Sequence, residues 1–400
     1  MVKKALVVCH KDADGILSAS LTLLYLHQKG IEADVACTSH LLVEKLKQKI
    51  TSHYDKYYFL DIGSQKEILI SKTFHNSVII DHHPPGLKDI SALKNVKIIN
   101  AYLEGLDGSK EITATGMVFY NFYNPHFHQY FYIPAVSAFA DSQPFIGPNK
   151  RFLNNAILRN QIKEETGINL FGYSLKPISK NLEYFFDEIG ADENATYILK
   201  KLHIPPNKTI KDLTKGEEIK LATYLAMKGY LSQIIDKRYL IKSTYELKEY
   251  TSLINAAVKL DEIKKAINFI LKEKGNLYEL YEIYRRKLRK YVKKALNTAE
   301  EKGKAVIVNI PMEENAITGT IATILSQKHY LGKIVCVCTP YEDNYIKFSL
   351  RYAGEEKLDL GKKVRELKAD LNIDGSGHKK AAGGIVHQED LEKFTNALSL

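Results

Sequence analysis

The sequence has 400 residues, of which 45% are hydrophobic and 26% are charged, and its formal net charge is +10. This length exceeds one ordinary core, so we expect two or three domains, and the composition is that of a folded soluble protein. The basic excess favours anionic partners, nucleic acid first among them. The sequence contains no signal peptide and no segment long enough to span a bilayer, which predicts a cytoplasmic protein with no membrane partner.

The first part of the chain, residues 1–142, alternates short β-rich runs with helical patterns. The predicted strands are Ala5–Cys9, Ala33–Thr38, Lys56–Ile62, Ser77–His82 and Val96–Asn100. The predicted helices are Ile16–Gly30, Leu41–Ile50, Gln65–Lys72, Thr115–Tyr123 and Ile133–Ala140. This alternation is typical of an α/β domain with a doubly wound parallel sheet.

The character of the chain changes near Gln143, where proline and glycine residues mark a boundary, and the chain is then mostly helical by period to about residue 303. The last part of this region reads as one long helix, Asn276–Lys302. Its basic residues lie largely away from its apolar stripe; they are Arg285, Arg286, Arg289, Lys290, Lys293 and Lys294. They form either a solvated face of a connecting helix or a phosphate-attracting wall of a cleft.

From Lys304 onward the β–α alternation returns. Strands are predicted at Ala305–Ile310, Lys333–Thr339 and Tyr345–Tyr352, and helices at Thr318–His329 and Lys362–Leu371. We therefore predict four segments. They are an N-terminal sheet domain (1–143), a helical insertion (144–275), a long connecting helix (276–303) and a smaller C-terminal α/β domain (304–400).

The four cysteines, Cys9, Cys37, Cys336 and Cys338, all lie in apolar, strand-like runs. The sequence has no C-x-x-C pair, which argues against a zinc ribbon. We expect buried free thiols in a reducing compartment.

His10, Asp12 and Asp14 follow the first predicted strand at intervals of two residues. Side chains two apart on a strand project to the same face, so this spacing predicts an imidazole and two carboxylates side by side. Two nearby carboxylates repel each other unless a cation neutralises them. The trio is therefore either part of a metal site or a polar strand-to-helix loop in which an Asp caps the helix.

Three further polar groups end other predicted elements of the same domain: Asp61, the group Asp81, His82 and His83, and Asp141. Each alone could be a cap or a turn. Ligands of open parallel sheets bind outside the carboxyl ends of the strands, so these groups are expected along one crevice. Carboxylates with one or two imidazoles suit Mn²⁺ or Mg²⁺, and their number is enough for two ions sharing a carboxylate, a common device for displacement at phosphorus.

A glycine-rich string, Asp374-Gly-Ser-Gly-His-Lys-Lys-Ala-Ala-Gly-Gly, lies near the other end of the chain. Such loops can offer backbone N–H groups to phosphate. Ser349 and Arg351 alternate on one face of the preceding predicted strand, where a guanidinium could bind a phosphate through two donors. The alternative is an ordinary turn that follows an ordinary strand.

Together these motifs resemble the DHH phosphoesterase superfamily, in the branch that carries a DHHA1 domain. His10, Asp12 and Asp14 match its H-x-D-x-D motif, Asp61 and Asp141 its lone aspartates, and Asp81, His82 and His83 its DHH motif. The Gly-Ser-Gly-His string is similar to the Gly-Gly-Gly-His loop of DHHA1, with Ser376 in place of one glycine.

The resemblance implies roles for these residues. One cation, Mn²⁺ preferred and Mg²⁺ accepted, would be held by His10, Asp12 and Asp61, and a second by Asp14, Asp61, His82 and Asp141. Asp81 would orient an imidazole and His83 would lie near the leaving oxygen as a proton donor. The implied substrate-binding residues are Ser349, Arg351, Gly375, Ser376, Gly377 and His378.

Within this family, residues 175–179, 210–218 and 250–257 resemble the archaeal RecJ-like exonucleases, which implies hydrolysis of single-stranded DNA or RNA from an end. One alternative is a phosphoesterase of small substrates, such as short oligonucleotides, a bisphosphonucleotide or a cyclic dinucleotide. The other is a replication scaffold similar to Cdc45 that works with partners such as the GINS complex.

Overall fold

The computed structural model describes residues 2–87, 89–91, 93–272, 274–355 and 358–399. The chain folds as two units: the first comprises residues up to 258 together with 263–278, and the second comprises 259–262 together with the residues from 279 onward. No helix among the described residues is both long and apolar enough to cross a membrane.

The first unit contains the doubly wound parallel sheet that the sequence predicts. Its strands are β1 (Lys4–His10), β2 (Glu32–Thr38), β3 (Lys56–Leu60), β4 (Ser77–Asp81) and β5 (Val96–Asn100). They pair in the order β2-β1-β3-β4-β5, and every pairing is parallel. The carboxyl ends of the strands therefore lie at one edge of the sheet.

Helices cover both faces of this sheet. They are α1 (Ala13–Gln28), α2 (Val43–Lys49), α3 (Glu67–Thr73), α4 (Ala114–Phe122), α5 (Tyr132–Ala140) and α6 (Gly147–Leu158). On one face Val8 and Phe59 pack with Ile70, Phe74 and Ile79 in a buried cluster. Helix α1 packs against α4 and α5 as well as against β1. This packing brings the first turns of α1 and α4 close to the carboxyl end of β1.

The segment after residue 158 belongs to the first unit and is mostly helical, as predicted, but it also contains a small antiparallel sheet. Its helices are α7 (Ile178–Ile189), α8 (Ala195–Lys201), α9 (Lys215–Met227), α10 (Leu231–Ile234), α11 (Leu247–Lys259) and α12 (Ile263–Lys272). Its strands are β6 (Ile162–Ile168), β7 (Ile235–Ile241) and β8 (Tyr245–Glu246), paired in the order β6-β7-β8. The helical interpretation missed β6 and β7 because charged residues interrupt the apolar pattern of both strands, and all of these except the buried Arg238 are exposed or half-buried.

The second unit is built on a six-stranded mixed sheet, which confirms the smaller C-terminal α/β domain. Its strands are β9 (Ala299–Lys302), β10 (Ala305–Asn309), β11 (Ile334–Pro340), β12 (Tyr345–Tyr352), β13 (Ile373–His378) and β14 (Ala381–His387). Its helices are α13 (Tyr278–Thr298), α14 (Thr318–Lys328), α15 (Leu360–Leu367) and α16 (Leu391–Ser399). The strand order is β13-β14-β12-β11-β10-β9, and only β10 and β11 pair in parallel.

The long helix predicted to reach Lys302 ends earlier. Helix α13 stops at Thr298, and the next four residues form β9, which pairs antiparallel with β10. Lys302 faces Ala305 in this pairing, so Gly303 and Lys304 form a two-residue hairpin turn, and Gly303 has a positive φ of 54°. Glu300 and Glu301 are exposed on this edge strand, and charge at a sheet edge is a common protection against further pairing.

The glycine-rich string is not a free loop, contrary to the sequence-based expectation. Gly375 and Gly377 lie in β13 and face Gly384 and Ala382 of β14. The glycines are required because the strands and helices approach closely: a Cβ on Gly377 would lie 2.4 Å from the Cα of Ala382. Because β13 pairs with β14, part of its backbone N–H groups serve the sheet rather than a phosphate.

Candidate metal centre

The end of β1 and the start of α1 supply the first three candidate ligands, but not by the alternation that the sequence predicts. Only His10 lies in the strand, since Asp12 is the N-cap of α1 and Asp14 lies in its first turn. Asp12 Oδ1 accepts the N–H of Gly15 at 3.0 Å, while Asp12 Oδ2 lies 2.5 Å from His10 Nδ1. Asp12 therefore caps the helix through one oxygen and faces the imidazole with the other, so the cap leaves Oδ2 available as a candidate ligand.

Asp14 is a buried carboxylate that connects α1 to α4 and α5. Its oxygens accept the N–H groups of Ala114 and Thr115 at 2.9 Å each, and the hydroxyls of Thr115 and Ser137 at 2.5 Å each. Burial and the nearby Asp61 raise the pKa of Asp14 to about 6, although His82 and the hydroxyl donors oppose this. Asp14 thus accepts hydrogen bonds mainly from the N-terminus of α4, and Oδ2 is the oxygen that faces His82.

Asp61 lies at the centre of the cluster. It directly follows β3 and has a positive φ of 56°, an uncommon conformation for a residue with a side chain. Its N–H donates to the carbonyl of Ile80 at 2.9 Å, which fixes it beside β4. Its carboxylate is 2% exposed and faces His10 at 3.4 Å and His82 at 3.2 Å.

His82 follows β4 and points one ring nitrogen at three carboxylates. Its Nε2 lies 3.2 Å from Asp61, 3.4 Å from Asp141 and 3.8 Å from Asp14. Asp141 is the C-cap residue of α5, which places it opposite the strand ends. Burial opposes a charge on His82, but the three carboxylates outweigh it and hold the pKa of His82 well above its usual range. Burial, together with Asp14, raises the pKa of Asp141 well above its usual range.

The other nitrogen of His82 is held from behind by residues that the sequence interpretation did not single out for the site. Nδ1 lies 2.6 Å from the carbonyl oxygen of Gly108. The amide of Gln143 donates to the same oxygen at 3.0 Å and accepts from Asn149 at 2.8 Å. Sequence reasoning treated Gln143 only as a domain boundary. The available signal was a side-chain amide two residues after the candidate ligand Asp141.

Asp81 and His83 form a pair beside these ligands. Asp81 Oδ1 lies 2.8 Å from His83 Nδ1, and the carboxylate also accepts the N–H groups of Ser64 and His83. Burial alone would raise the pKa of Asp81, but His83 and the backbone donors outweigh it and hold the pKa below its usual range. Asp81 thus orients an imidazole, the arrangement that the resemblance implies, and His83 Nδ1 lies 3.8 Å from Asp61.

The ligand atoms gather in three groups, each with its members within 4.8 Å of one another: His10 with Asp12 and Asp61, Asp14 with His82 and Asp141, and Asp61 with His82 and His83. His10 Nδ1 and Asp61 Oδ1 are buried close to other candidate ligands: Nδ1 lies 2.5 Å from Asp12 and Oδ1 lies 3.2 Å from His82 Nε2. Buried carboxylates and imidazoles crowded together in this way fit a bound cation. All the donors are oxygen or imidazole nitrogen, which suits Mn²⁺ or Mg²⁺.

Four of the residues predicted to bind substrate come together on one face of the second unit's sheet: Ser349, Arg351, Ser376 and His378. In the strand register, Ser349 and Ser376 both face Gly383, and Arg351 and His378 both face Ala381. Residues opposite each other in an antiparallel sheet share a face, so two rows of side chains cross β12, β14 and β13. Gly375 and Gly377 alternate with these residues and therefore belong to the other face.

Arg351 is held in place without a carboxylate. Its Nε donates to the hydroxyl of Thr323 at 3.2 Å, and its guanidinium packs closely against Gly319 at the start of α14. Ser349 bonds the hydroxyl of Thr318 at 2.9 Å on the same helix. Arg351 forms no ion pair within 4 Å with any residue that the structure describes, and burial lowers its pKa. A partly buried guanidinium with hydroxyl neighbours can bind an anion through its remaining donors.

The fold and the ligand groups define a DHH-type domain joined to a DHHA1-type domain, and comparison with known families agrees. Residues 4–139 match the DHH family N-terminal domain, and residues 286–400 match the DHHA1 domain. The chain belongs to the DHH/DHHA1 superfamily, most of whose members are phosphoesterase hydrolases.

Individual relatives extend the likeness over almost the whole chain. An uncharacterized protein of Methanocaldococcus jannaschii is 26% identical over 97% of this chain and 90% of its own length. RecJ from Thermus thermophilus, solved with Mn²⁺, matches 99% of this chain with a TM-score of 0.61 and 16% identity. Cdc45 from Entamoeba histolytica also matches 99% of it, with a TM-score of 0.62 and 14% identity. This chain spans 51% of the Thermus RecJ and 95% of that Cdc45.

Proposed function

We propose that this protein is a phosphodiesterase that uses two divalent cations, Mn²⁺ in preference to Mg²⁺, to remove nucleotides from an end of single-stranded DNA or RNA. The observation that carries the proposal is the gathering of four candidate ligands, His10, Asp12, Asp14 and Asp141, around Asp61 and His82. The predicted assignment gives His10, Asp12 and Asp61 to one ion. It gives Asp14, His82 and Asp141 to the other, with Asp61 shared between them.

The chain's own residues prepare this site for hydrolysis of a phosphate ester. When bound, the ions would supply an activated water and neutralise charge at phosphorus. Gly108 and Gln143 hold His82 so that Nε2 faces the candidate carboxylate ligands, and Asp81 holds His83 by Nδ1. The Nε2 of His83 is then the atom that could give a proton to the leaving oxygen, since Nδ1 is engaged by Asp81.

The charge of α13 supports a polyanionic substrate. Arg286, Arg289, Lys290, Lys293 and Lys294 are exposed on this helix. None of them pairs with a carboxylate of any described residue, whereas the neighbouring Lys287 is paired with Glu314. Cations three and four positions apart share one side of a helix. A row of unpaired cations attracts phosphates through counterion release and carries no base specificity.

The rows on the second unit's sheet support a site for individual phosphates. Arg351 and His378 flank Ala381, while Ser349 and Ser376 flank Gly383, so small residues lie between the hydrogen-bonding groups. His378 is exposed at the end of β13. We assign phosphate binding to these side chains and not to a glycine-rich backbone loop, because β13 is paired.

The proposal is tested by a cleavage assay in Mn²⁺ with single strands of DNA and of RNA that are labelled at either end. We expect successive loss of nucleotides from one end and no cleavage in excess chelator. Asp61→Ala should abolish hydrolysis, while Asp187→Ala, which removes an exposed aspartate of α7, should keep it. Full activity of the Asp61→Ala protein would overturn the mechanism.

Two other functions are separated by further measurements. A phosphoesterase of small nucleotides would turn over a dinucleotide faster than a 20-mer, and the exposed cations of α13 favour the longer chain. A replication scaffold is supported by the fold shared with Cdc45. Every predicted ligand position of this chain, however, carries an aspartate or a histidine, which favours an enzyme. Co-purification with the GINS complex, together with no metal-dependent cleavage of any nucleic acid, would establish the scaffold instead.

A further inference from the structure

Two cysteines of the first unit lie directly opposite each other, beside the candidate metal centre. Cys9 of β1 and Cys37 of β2 are register partners, and their Sγ atoms are 2.9 Å apart. Cys9 is fully buried, whereas Cys37 is partly exposed because β2 is the edge strand of its sheet. The expectation that all four cysteines are buried thus fails at Cys37, and this is the thiol that a small solute can reach.

The second cysteine pair serves as an internal comparison. Cys336 and Cys338 lie two residues apart on the single strand β11, with Sγ atoms 3.5 Å apart, and both are buried in the core of the second unit. Residues two apart on a strand are separated by about 6.6 Å, near the upper end of the Cα spacing that disulfides adopt. Adjacent strands lie about 4.8 Å apart, well inside that range. Only the pair Cys9 and Cys37 combines a suitable Cα spacing with a thiol that solvent can reach.

We propose that Cys9 and Cys37 form a reversible disulfide when the protein meets hydrogen peroxide, and that this disulfide weakens cation binding at His10. The partly exposed thiol of Cys37 attacks the peroxide, so that an S–O bond forms, the O–O bond breaks and water leaves. The sulfur of Cys9 then attacks the Cys37 sulfenic acid, so that the S–S bond forms and a second water leaves. The two thiols lose two electrons in all, and the peroxide gains them.

The position of the strands gives the direction of the effect on the metal centre. β1 lies between β2 and β3, so the disulfide draws the end of β1 toward β2 and away from β3. His10 directly follows Cys9, and Asp61 directly follows β3. His10 Nδ1 lies 3.4 Å from Asp61 Oδ2. Oxidation therefore separates His10 from Asp61. This second half of the proposal rests on the proposed metal-dependent function, whereas the formation of the disulfide does not.

The disulfide is tested on the metal-free, full-length protein. After treatment with hydrogen peroxide, the protein is unfolded and its free thiols are counted and located by peptide mapping. We expect two thiols to be lost as one Cys9–Cys37 link and to return with dithiothreitol. The Cys336→Ser/Cys338→Ser protein should still form this link, and Cys37→Ser should not. Persistence of both thiols, or a link to Cys336 or Cys338, would overturn the disulfide.

The effect on the metal centre is tested by calorimetric titration with Mn²⁺. The oxidised protein should bind about tenfold more weakly than the reduced protein, the size typical of disturbing a residue that supports a ligand, and Cys37→Ser should not respond to peroxide. Unchanged affinity in a protein with the mapped disulfide would overturn the switch. Absence of Mn²⁺ binding in the reduced protein would instead overturn the proposed function. It would leave the disulfide standing, because the thiols are counted without metal.

Discussion

His82 Nδ1 lies 2.6 Å from the carbonyl oxygen of Gly108, and this contact determines which ring nitrogen faces the carboxylates. A carbonyl can only accept, so Nδ1 must carry a proton and Nε2 is left to face Asp61 and Asp141. Position 108 admits no side chain, since a Cβ on Gly108 would lie 1.9 Å from the backbone carbonyl oxygen of His82. The arrangement of the candidate metal centre therefore depends on residues that are not themselves candidate ligands.

Removing the support of this carbonyl should weaken the metal centre without removing a ligand. Gln143→Ala deletes the amide that donates to Gly108 and accepts from Asn149. We expect Mn²⁺ affinity to fall about tenfold, in line with other residues that orient a ligating imidazole. Calorimetric titration measures this, and Gln48→Ala, which removes an exposed glutamine of α2, is the control. Equal affinity of the Gln143→Ala and native proteins would contradict the role.

The two tasks of Asp12 can be separated by a pair of substitutions. Asp12→Asn keeps an acceptor for the Gly15 N–H and removes the charge that faces His10, whereas Asp12→Ala removes both. Binding of one of the two Mn²⁺ ions should be lost in both proteins, but Asp12→Ala should be less stable than Asp12→Asn by about 1 kcal/mol, the usual worth of an N-cap. Urea unfolding without metal gives the difference, and native Mn²⁺ affinity in Asp12→Asn would rule out its ligand role.

Glu246 should make the stability of the first unit depend on pH. It is 4% exposed. Burial, together with the charge of Glu249, raises the pKa of Glu246 to about 7, although the backbone N–H and the charge of Lys248 oppose this. The folded state then holds a proton that the unfolded state releases near pH 4.3, so stability falls as pH rises through this window. The full loss is about 4 kcal/mol.

Glu246→Gln keeps an acceptor for the N–H of Lys248 and removes the titration. It should therefore be more stable than the native protein at pH 8 and nearly equal to it at pH 4. Urea unfolding at both pH values measures the difference between the two proteins, which cancels the contribution of other groups. A difference that does not change with pH would show that Glu246 titrates normally.

Arg351 should matter for substrate binding and not for stability. Since it has no carboxylate partner among the described residues, Arg351→Met replaces a desolvated charge by an apolar chain of similar length. We expect unchanged or greater stability, together with a KM for single strands that rises at least about tenfold while kcat changes less. Steady-state kinetics and urea unfolding measure these effects. A fall in stability with an unchanged KM would mean that Arg351 is structural.

The basic face of α13 should determine the salt dependence of nucleic-acid binding. Replacing Arg286, Lys290 and Lys293 by Gln should reduce the slope of log affinity against log salt by about 2, since each lost phosphate contact on a single strand contributes about 0.7. The matched control replaces Lys211, Lys215 and Lys220, three exposed lysines of the first unit, and keeps the same net charge. Equal slopes for both proteins would exclude α13 from the binding surface.

The sequence allowed the parallel sheet and the gathering of candidate ligands to be predicted, because parallel strands present their carboxyl ends at one edge. It was less informative about how each ligand is held. The prediction placed Asp12 and Asp14 on an extended strand, but the chain has already turned into α1 at Ala13. Gln143 carries no local pattern that distinguishes a buried amide from a loop residue, since its partners lie far away in the chain.

The missed strands have a different physical origin. β6 and β7 pair although four helices, α7 to α10, lie between them in the chain. The charges at their centres are neutralised only after folding, when Arg238 meets Glu165 and Glu218. Local periodicity does not contain such pairings. Likewise Glu300 and Glu301 continue the composition of α13, and only Gly303 marks the hairpin that turns them into a strand.

The short strand β9 has a consequence for how the second unit can be produced by itself. Its exposed acidic residues cover β10, whose Val306, Ile307 and Val308 are buried. A fragment that starts at residue 304 would present this apolar strand as an open edge, which invites strand addition between molecules and precipitation. A fragment that starts before Tyr278 keeps the covering strand and the helix that leads into it, so that is where an expression boundary belongs.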